Sequence, residues 1–366
     1  MIKYIGIVGF KSIKNLKRIV MPIGLELRPI NILIGSNGSG KSNFVSFFKM
    51  INAITNQKFQ QFVMEEKADN LLYFGRKNTE ILYGKIRLSG GTVNDHAYIF
   101  VAKATQEGSL YFAEDTSAYL YPITMNDEWN FRTEKNLYES LVIEQYPDLK
   151  QHLNSIKIFH FHDTSATSYL RRECDVNDNI YLKPDGRNLP AFLYLLKVKH
   201  QKTYVRIEKM VQTIAPYIDK FILEPKLLNI NEIELRWVDV GDSESNFSAY
   251  QLSDGTLRFI ALTALLMQPN LPSVIIIDEP ELGLHPFAIG KLAGMIQATS
   301  KETQIIVATQ SPGLVNHFSP EDIIVVDRDV EEKQSIFKRL NSNDLAIWLE
   351  DYSLGNLWER DMINGA

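Results

Sequence analysis

Cysteine is almost missing from this chain. Cys174 is the only one in 366 residues, so no disulfide forms within the chain and a reducing, cytoplasmic setting is expected. Long apolar runs are missing too: nothing approaches the ~18 to 20 consecutive apolar residues that would span a bilayer. The opening Met1-Ile2-Lys3-Tyr4-Ile5-Gly6-Ile7 is too short for a secretion signal. Any link to a membrane is therefore expected to run through a partner, without direct insertion. There is no excess of positive charge. The formal net charge of −5 excludes a protein that coats nucleic acid over its whole surface, although local basic faces are allowed. Internal repeats, low-complexity tracts and sustained heptads are absent, which excludes a solenoid, a linker array and a coiled-coil arm. What remains is 45% hydrophobic and 23% charged, the composition of one large globular domain or two ordinary ones.

The strongest signal is Gly35-Ser36-Asn37-Gly38-Ser39-Gly40-Lys41-Ser42, placed after the apolar run Ile30-Asn31-Ile32-Leu33-Ile34 and opening a helical pattern. Every fixed position of the phosphate-binding G-x-x-x-x-G-K-S loop is filled. Glycines let backbone N–H groups turn toward phosphate oxygens, and the positive end of the helix dipole faces the same anion. Lys41 is expected to reach the β- and γ-phosphates, and the Ser42 hydroxyl to ligate Mg²⁺. Asn43, next on the helix, is included in the nucleotide site. No guanine-reading N-K-x-D motif accompanies the loop.

Four segments follow from the pattern: 1–56 with the loop, an inserted mixed strand and helical lobe over 57–220, a second α/β part over 221–345, and a tail over 346–366. Tyr4 to Phe10 and Leu25 to Ile34 read as strands around Lys11 to Arg18, whose Lys11, Lys14, Lys17 and Arg18 mark a solvated turn and edge strand or a nucleic-acid or phosphate contact. Glu80 to Leu88, His96 to Val101 and Ser109 to Phe112, with Gly90-Gly91 as a turn, predict an antiparallel meander. Helices are expected over Glu134 to Gln145 and over Leu189 to Ile214 with a break near Lys202. Strands are expected over Ile156 to His162 and Ile230 to Val240. The basic residues Arg171, Arg172, Lys197, Lys199, Lys202, Arg206 and Lys209 mark a solvated helix face or a nucleic-acid contact.

The second half returns to α/β patterning. Ser273-Val274-Ile275-Ile276-Ile277 is a continuous run suited to a parallel strand buried on both faces, and it ends in Asp278-Glu279-Pro280-Glu281. That strand end is where a P-loop protein needs acids: Asp278 for Mg²⁺, Glu279 to orient and deprotonate a water. Gln304 to Thr309 and Ile323 to Val326 are further buried strands. Before the acidic strand, Leu252-Ser253-Asp254-Gly255-Thr256 starts a helix to about Met267, with Ser253 as a candidate N-cap.

Here the sequence resembles the ABC-type ATPases, whose signature has the form L-S-G-G-Q. The resemblance implies that Ser253 and Gly255 bind the γ-phosphate held by the P-loop of a second subunit. Asp254 and Thr256 depart from that signature. A carboxylate beside a γ-phosphate repels it, so Asp254 is expected to point away or to cap the helix. Phe10-Lys11-Ser12-Ile13, the stretch from Asp278 to Pro286, and Thr309-Gln310-Ser311-Pro312 narrow the likeness to the RecF/SMC-related branch, and within it to stand-alone bacterial AAA-type ATPases. Phe161 to Ser165 and Trp348 to Gly355 resemble the same subgroup. The likeness implies an α/β P-loop NTPase fold of the ABC/SMC-head type that dimerises around ATP and Mg²⁺ and couples hydrolysis to DNA or a separate effector protein, in DNA repair or in defence. It also implies that Gln310 stands where transporters carry a switch histidine, and that Lys11 matches a basic residue touching the nucleotide or the signature. The glutamine that usually ends the strand leaving the insertion is missing. His162 or Asp163 replaces it, or the histidine is simply buried. His160 and His162 alternate onto one face, but a metal pair needs a third ligand and no further His or Cys stands at motif spacing.

Three rivals stand beside this reading. A transporter subunit is disfavoured by the strand-rich insertion and by Gln310. A built-in nuclease is disfavoured because the stretch after Asp278 is short for an appended domain, and Asp327, Asp329, Glu331 and Glu332 read as an exposed turn. A nucleotide-gated regulator with negligible turnover is disfavoured by Glu279.

Overall fold

The structure is a computed structural model that describes residues 1–16, 24–89, 95–120 and 129–363. Lys17, Arg18, Gly90, Gly91 and residues 364–366 of the tail lie outside the described residues.

The β-branched runs bury both faces in a six-stranded sheet. Its order is Gln334–Arg339, Ile323–Asp329, Ile30–Ile34, Gln304–Thr309, Val274–Asp278 and Ile156–Phe159. All neighbours are parallel except the outer pair Ile323–Asp329 and Gln334–Arg339, which form an antiparallel hairpin. Alternation along each strand divides the side chains between two cores. Ile32, Ile34, Ile275, Ile277, Ile305 and Val307 face one, beneath the helices Leu189–Lys199, Gln201–Ile214, Asp254–Met267 and Pro286–Thr299. Leu33, Val274, Ile276, Ile306 and Ala308 face the other, which contains the helix Lys41–Thr55.

That helix is a wedge between two sheets. Phe44, Phe47, Phe48 and Ile51 pack on the parallel sheet and on a second, antiparallel one, with Phe47 edge-on to Phe10 and stacked on Phe100. The second sheet runs Ile13–Asn15, Ile2–Phe10, Ile81–Leu88, Asp95–Ala104, Leu110–Leu120, Trp129–Glu134, with Leu25–Glu26 also paired to Ile2–Phe10. The expected meander is present, but it is continuous with the N-terminal strands: Ile5 pairs with Ile86 and Val8 with Tyr83. The strands Ile81–Leu88, Asp95–Ala104, Leu110–Leu120 and Trp129–Glu134 thus share a sheet with Ile2–Phe10 instead of making one of their own. The backbone N–H and C=O groups of the largely buried strand Ile2–Phe10 require such hydrogen-bonding neighbours. Gln304 joins the two sheets, accepting from the Ile2 amide and donating to the carbonyls of Ile2 and Arg28, all at 2.9 Å.

Several boundaries differ from the sequence expectation. Glu134 ends a strand, and the helix covers only Leu141–Gln145. Its start is fixed by the fully buried Asp115, which accepts from the Tyr98 hydroxyl, the Ser140 hydroxyl and the Val142 amide. Ile230 to Val240 divides into Glu232–Ile233 and Arg236–Asp239, which pair with different strands. The strand expected to reach His162 stops at Phe159, because the His160 amide turns to the Pro184 carbonyl. The long helix breaks at His200, close to the expected point. The tail contributes the helices Ser342–Leu349 and Leu354–Glu359.

Cys174 sits partly buried against the core, and burial pushes its thiol up to about 11. At pH 8 the native protein is therefore expected to alkylate about 100-fold more slowly than the urea-unfolded chain, as followed by mass spectrometry. Equal rates would contradict that environment.

Candidate nucleotide-binding site

The loop Gly35–Gly40 connects the strand Ile30–Ile34 to the helix Lys41–Thr55. Ser36, Asn37, Gly38 and Ser42 are exposed at the rim, whereas Ser39, Gly40 and Lys41 are buried. No side chain caps the helix, so its first amides are open to an anion. Gly40 is dictated twice over. Its φ is +121°, and a Cβ there would lie 2.2 Å from Ser335 Oγ. Gly40→Ala is expected to cost about 1–3 kcal/mol in urea denaturation and to weaken nucleotide binding. A variant as stable as the parent would overturn that packing argument.

Ser335 is a brace that the sequence did not reveal. Its hydroxyl donates to the Ser39 carbonyl and lies 2.7 Å from Ser12 Oγ, which in turn accepts from Asn43 at 2.7 Å. Lys41 lies inside the loop, its ammonium donating to the carbonyls of Gly35 (2.5 Å) and Ser36 (3.1 Å). Burial lowers its pKa, opposed by the nearby Glu279, Asp278 and Glu281. The acidic strand end therefore lies near Lys41 of the P-loop.

Asp278 closes the strand Val274–Asp278, and Glu279 follows with φ +41°, an unusual value for a non-glycine residue. The Glu279 amide donates to the Ala308 carbonyl (2.7 Å), and Gln310 Nε2 donates to Glu279 Oε1 (2.5 Å). Glu281 stands behind them: one oxygen accepts from Thr309 Oγ1 and the Gln310 amide. Burial raises the carboxyls of both Asp278 and Glu281 above the usual carboxylate range. The tail supports this corner as well, since Gly355 N donates to Asn316 Oδ1 beside the short helix Pro312–Val315.

At the position of the missing glutamine, the structure separates the two candidates. His162 Nε2–H donates to the Asp278 carbonyl oxygen (2.8 Å). The Asp163 carboxylate instead accepts from the amide and hydroxyl of Ser165, away from the strand end. His160 is half-buried, and burial together with Lys49 and His162 pushes it down to about 4, so the ring is neutral near pH 7.

Ser253 is the N-cap of the helix Asp254–Met267 and accepts from the Thr256 amide (3.1 Å). Asp254 is not the cap. Its carboxylate pairs with Arg171 Nη2 at 2.6 Å, while the same buried guanidinium donates to the carbonyls of Thr164, Ala249 and Leu252. Arg171 thus neutralises the acid that departs from the signature. Gly255 permits a close approach, because a Cβ there would meet the Gly283 carbonyl oxygen at 2.4 Å. Lys11, at φ +47°, is ion-paired with Glu66 (3.1 Å) beside a cleft of about 1200 Å³ that also receives Ser12 and Asn43.

Residues 30–316 match the family described as "AAA domain, putative AbiEii toxin, Type IV TA system". The chain belongs to this AAA-domain family. Among solved structures it is similar to an Smc head bound to the C-winged helix domain of ScpA, with TM-score 0.58 and 15% identity, covering 94% of this chain and 99% of the other. It is also similar to an Smc head domain with an extended coiled coil bound to the C-terminal domain of ScpA derived from Pyrococcus furiosus, with TM-score 0.52 and 15% identity, covering 96% and 98%. No curated protein matches the sequence. The fold of this AAA-domain protein is therefore the P-loop NTPase fold of SMC-head type. Among the described residues no helix is long and apolar enough to cross a membrane.

Proposed function

We propose that this protein binds ATP with Mg²⁺, hydrolyses it, and closes into a homodimer around two nucleotides. The observation that carries the reading is the Gln310–Glu279 hydrogen bond at 2.5 Å, set beside the buried Lys41 and the acids Asp278 and Glu281. The residues present fit the group. The uncapped helix start and the exposed Ser36 to Gly38 rim offer amides to phosphates, and the Ser42 hydroxyl and Asp278 carboxylate are hard oxygen ligands of the kind Mg²⁺ takes. Bound Mg²⁺ supplies charge neutralisation on the phosphate oxygens. Lys41 leaves the loop carbonyls to hold β- and γ-phosphate oxygens. Glu279 orients a water and takes its proton at the carboxylate, and Gln310 fixes the direction of that carboxylate. A glutamine donates a hydrogen bond but carries no proton charge, so turnover is slow. Ser253 and the amide of Gly255 complete the site across the dimer.

Hydrolysis is coupled to DNA or a separate effector protein, in repair or defence. The adenine preference and Lys11 as a nucleotide contact belong to the same reading. Steady-state ATP hydrolysis by the pure protein, with and without single- and double-stranded DNA, tests it. Turnover stimulated by DNA is expected. Absence of turnover above background would replace the enzyme by a nucleotide-gated regulator.

A further inference from the structure

Two imidazoles and one carboxylate meet where the parallel sheet ends. His160, His162 and Asp278 each offer a ligand atom, and these atoms lie within 4.8 Å of one another at half-buried positions. His160 and His162 come from the segment after Ile156–Phe159, Asp278 from the adjacent parallel strand, and the pairing of Phe159 with Ile277 sets them side by side. The sequence left the two histidines without a third ligand; register across the sheet supplies it.

His160 Nε2 is buried and has no hydrogen-bond partner among the described residues. A buried imidazole nitrogen with nothing to bond is costly, and a metal ion is one of the few groups that would satisfy it. His162 has the complementary feature. Its Nε2–H donates to the Asp278 carbonyl oxygen, which fixes the tautomer and ring orientation in the way that backbone carbonyls hold metal-ligating histidines. The remaining ring nitrogen then carries a free lone pair.

We propose that His160, His162 and Asp278 form a binding site for a first-row transition-metal dication of the Zn²⁺, Co²⁺ or Mn²⁺ class. The donor set decides the class. Imidazole nitrogen suits these ions, whereas Mg²⁺ and Ca²⁺ take oxygen ligands throughout. Three protein ligands leave coordination positions open for water. This site differs in ligands from the oxygen set assigned to Mg²⁺ and needs no nucleotide, but the two sets share Asp278. Occupancy by the transition metal therefore withdraws that carboxylate from Mg²⁺·ATP and inhibits turnover. That consequence rests on the ATPase reading; the binding does not.

The test titrates untagged, nucleotide-free protein with Co²⁺ alone, reads the visible d–d absorption, and displaces the cobalt with Zn²⁺. One Co²⁺ per chain is expected, at an affinity that His160→Ala lowers by about 100-fold. Among the described residues His160 Nε2 gives up no hydrogen bond, so that variant is expected to keep the parent's circular dichroism. Asp278→Asn is a second variant expected to weaken binding while leaving both imidazoles in place. Absence of a cobalt spectrum in the parent overturns the site, as does binding that survives both substitutions unchanged. ATP turnover measured with Mg²⁺, with and without Zn²⁺, separates the two readings. Cobalt binding without any turnover keeps the metal site and removes the ATPase, and turnover without cobalt binding does the reverse.

Discussion

Glu279→Gln is expected to lower steady-state ATP turnover by about 10²- to 10⁴-fold while ATP binding stays within a few-fold of the parent. The substitution keeps the shape of the side chain and removes only its capacity to take a proton. Its position survives, because the backbone fixes it: φ at Glu279 is +41° and its amide is held by the Ala308 carbonyl. The new amide can still meet Gln310, whose side chain now contacts Glu279 Oε1. Lys41, Ser42 and Asp278 are untouched, so nucleotide is retained without being consumed. On gel filtration in ATP and Mg²⁺ the variant is expected to run as a dimer. Phosphate release and a binding titration on the same preparation decide the matter. Turnover equal to the parent's would remove Glu279 as the base.

Much of this corner was legible in the sequence because its chemistry is local. A P-loop is contiguous, an acidic pair follows a buried β-branched run, and a helix start carries Ser253. The parallel strands Val274–Asp278 and Gln304–Thr309 were legible for a related reason: burial on both faces leaves continuous apolar runs. The parts that escaped depend on contacts between distant segments. Ser335 reaches Ser39 across 296 positions. Arg171 reaches Asp254 across 83. Ile81–Leu88 completes the sheet of Ile2–Phe10, a pairing that no periodicity reports, since alternation gives the face of a strand and not its neighbour. The helix expected from Glu134 failed for the same reason: Asp115, on another strand, anchors the true start at Ser140.

Asp254 shows how a departure from a motif is absorbed. Its side chain remains 64% exposed, so the ion pair with Arg171 is worth little as a surface contact, but the Arg171 side chain is only 6% exposed and also ties down three carbonyls. The acid is thus held by a group committed to the fold. The N-terminal end of the helix Asp254–Met267 is left to Ser253 and to the amides after it.

If each nucleotide lies between the Lys41 loop of one protomer and the Ser253 helix of the other, two dead variants restore each other. Lys41→Ala removes the ammonium that holds the phosphates. Ser253→Asp keeps an N-cap of equal quality, so the helix Asp254–Met267 stays intact, but adds a charge that repels a γ-phosphate. Each variant alone is expected to be inactive, because both sites of its homodimer carry the lesion. In a mixed dimer the two lesions fall on one site, and the other site combines an intact Lys41 with an intact Ser253. Random pairing of equal amounts makes half of the dimers mixed, so the mixture is expected to regain about a quarter of the parent's rate per chain. A site built within one chain predicts no recovery whatever the mixing ratio. A mixture as inactive as its components would therefore overturn the shared site, and a recovery that rises and falls with the mixing ratio, greatest at equal amounts, would establish it.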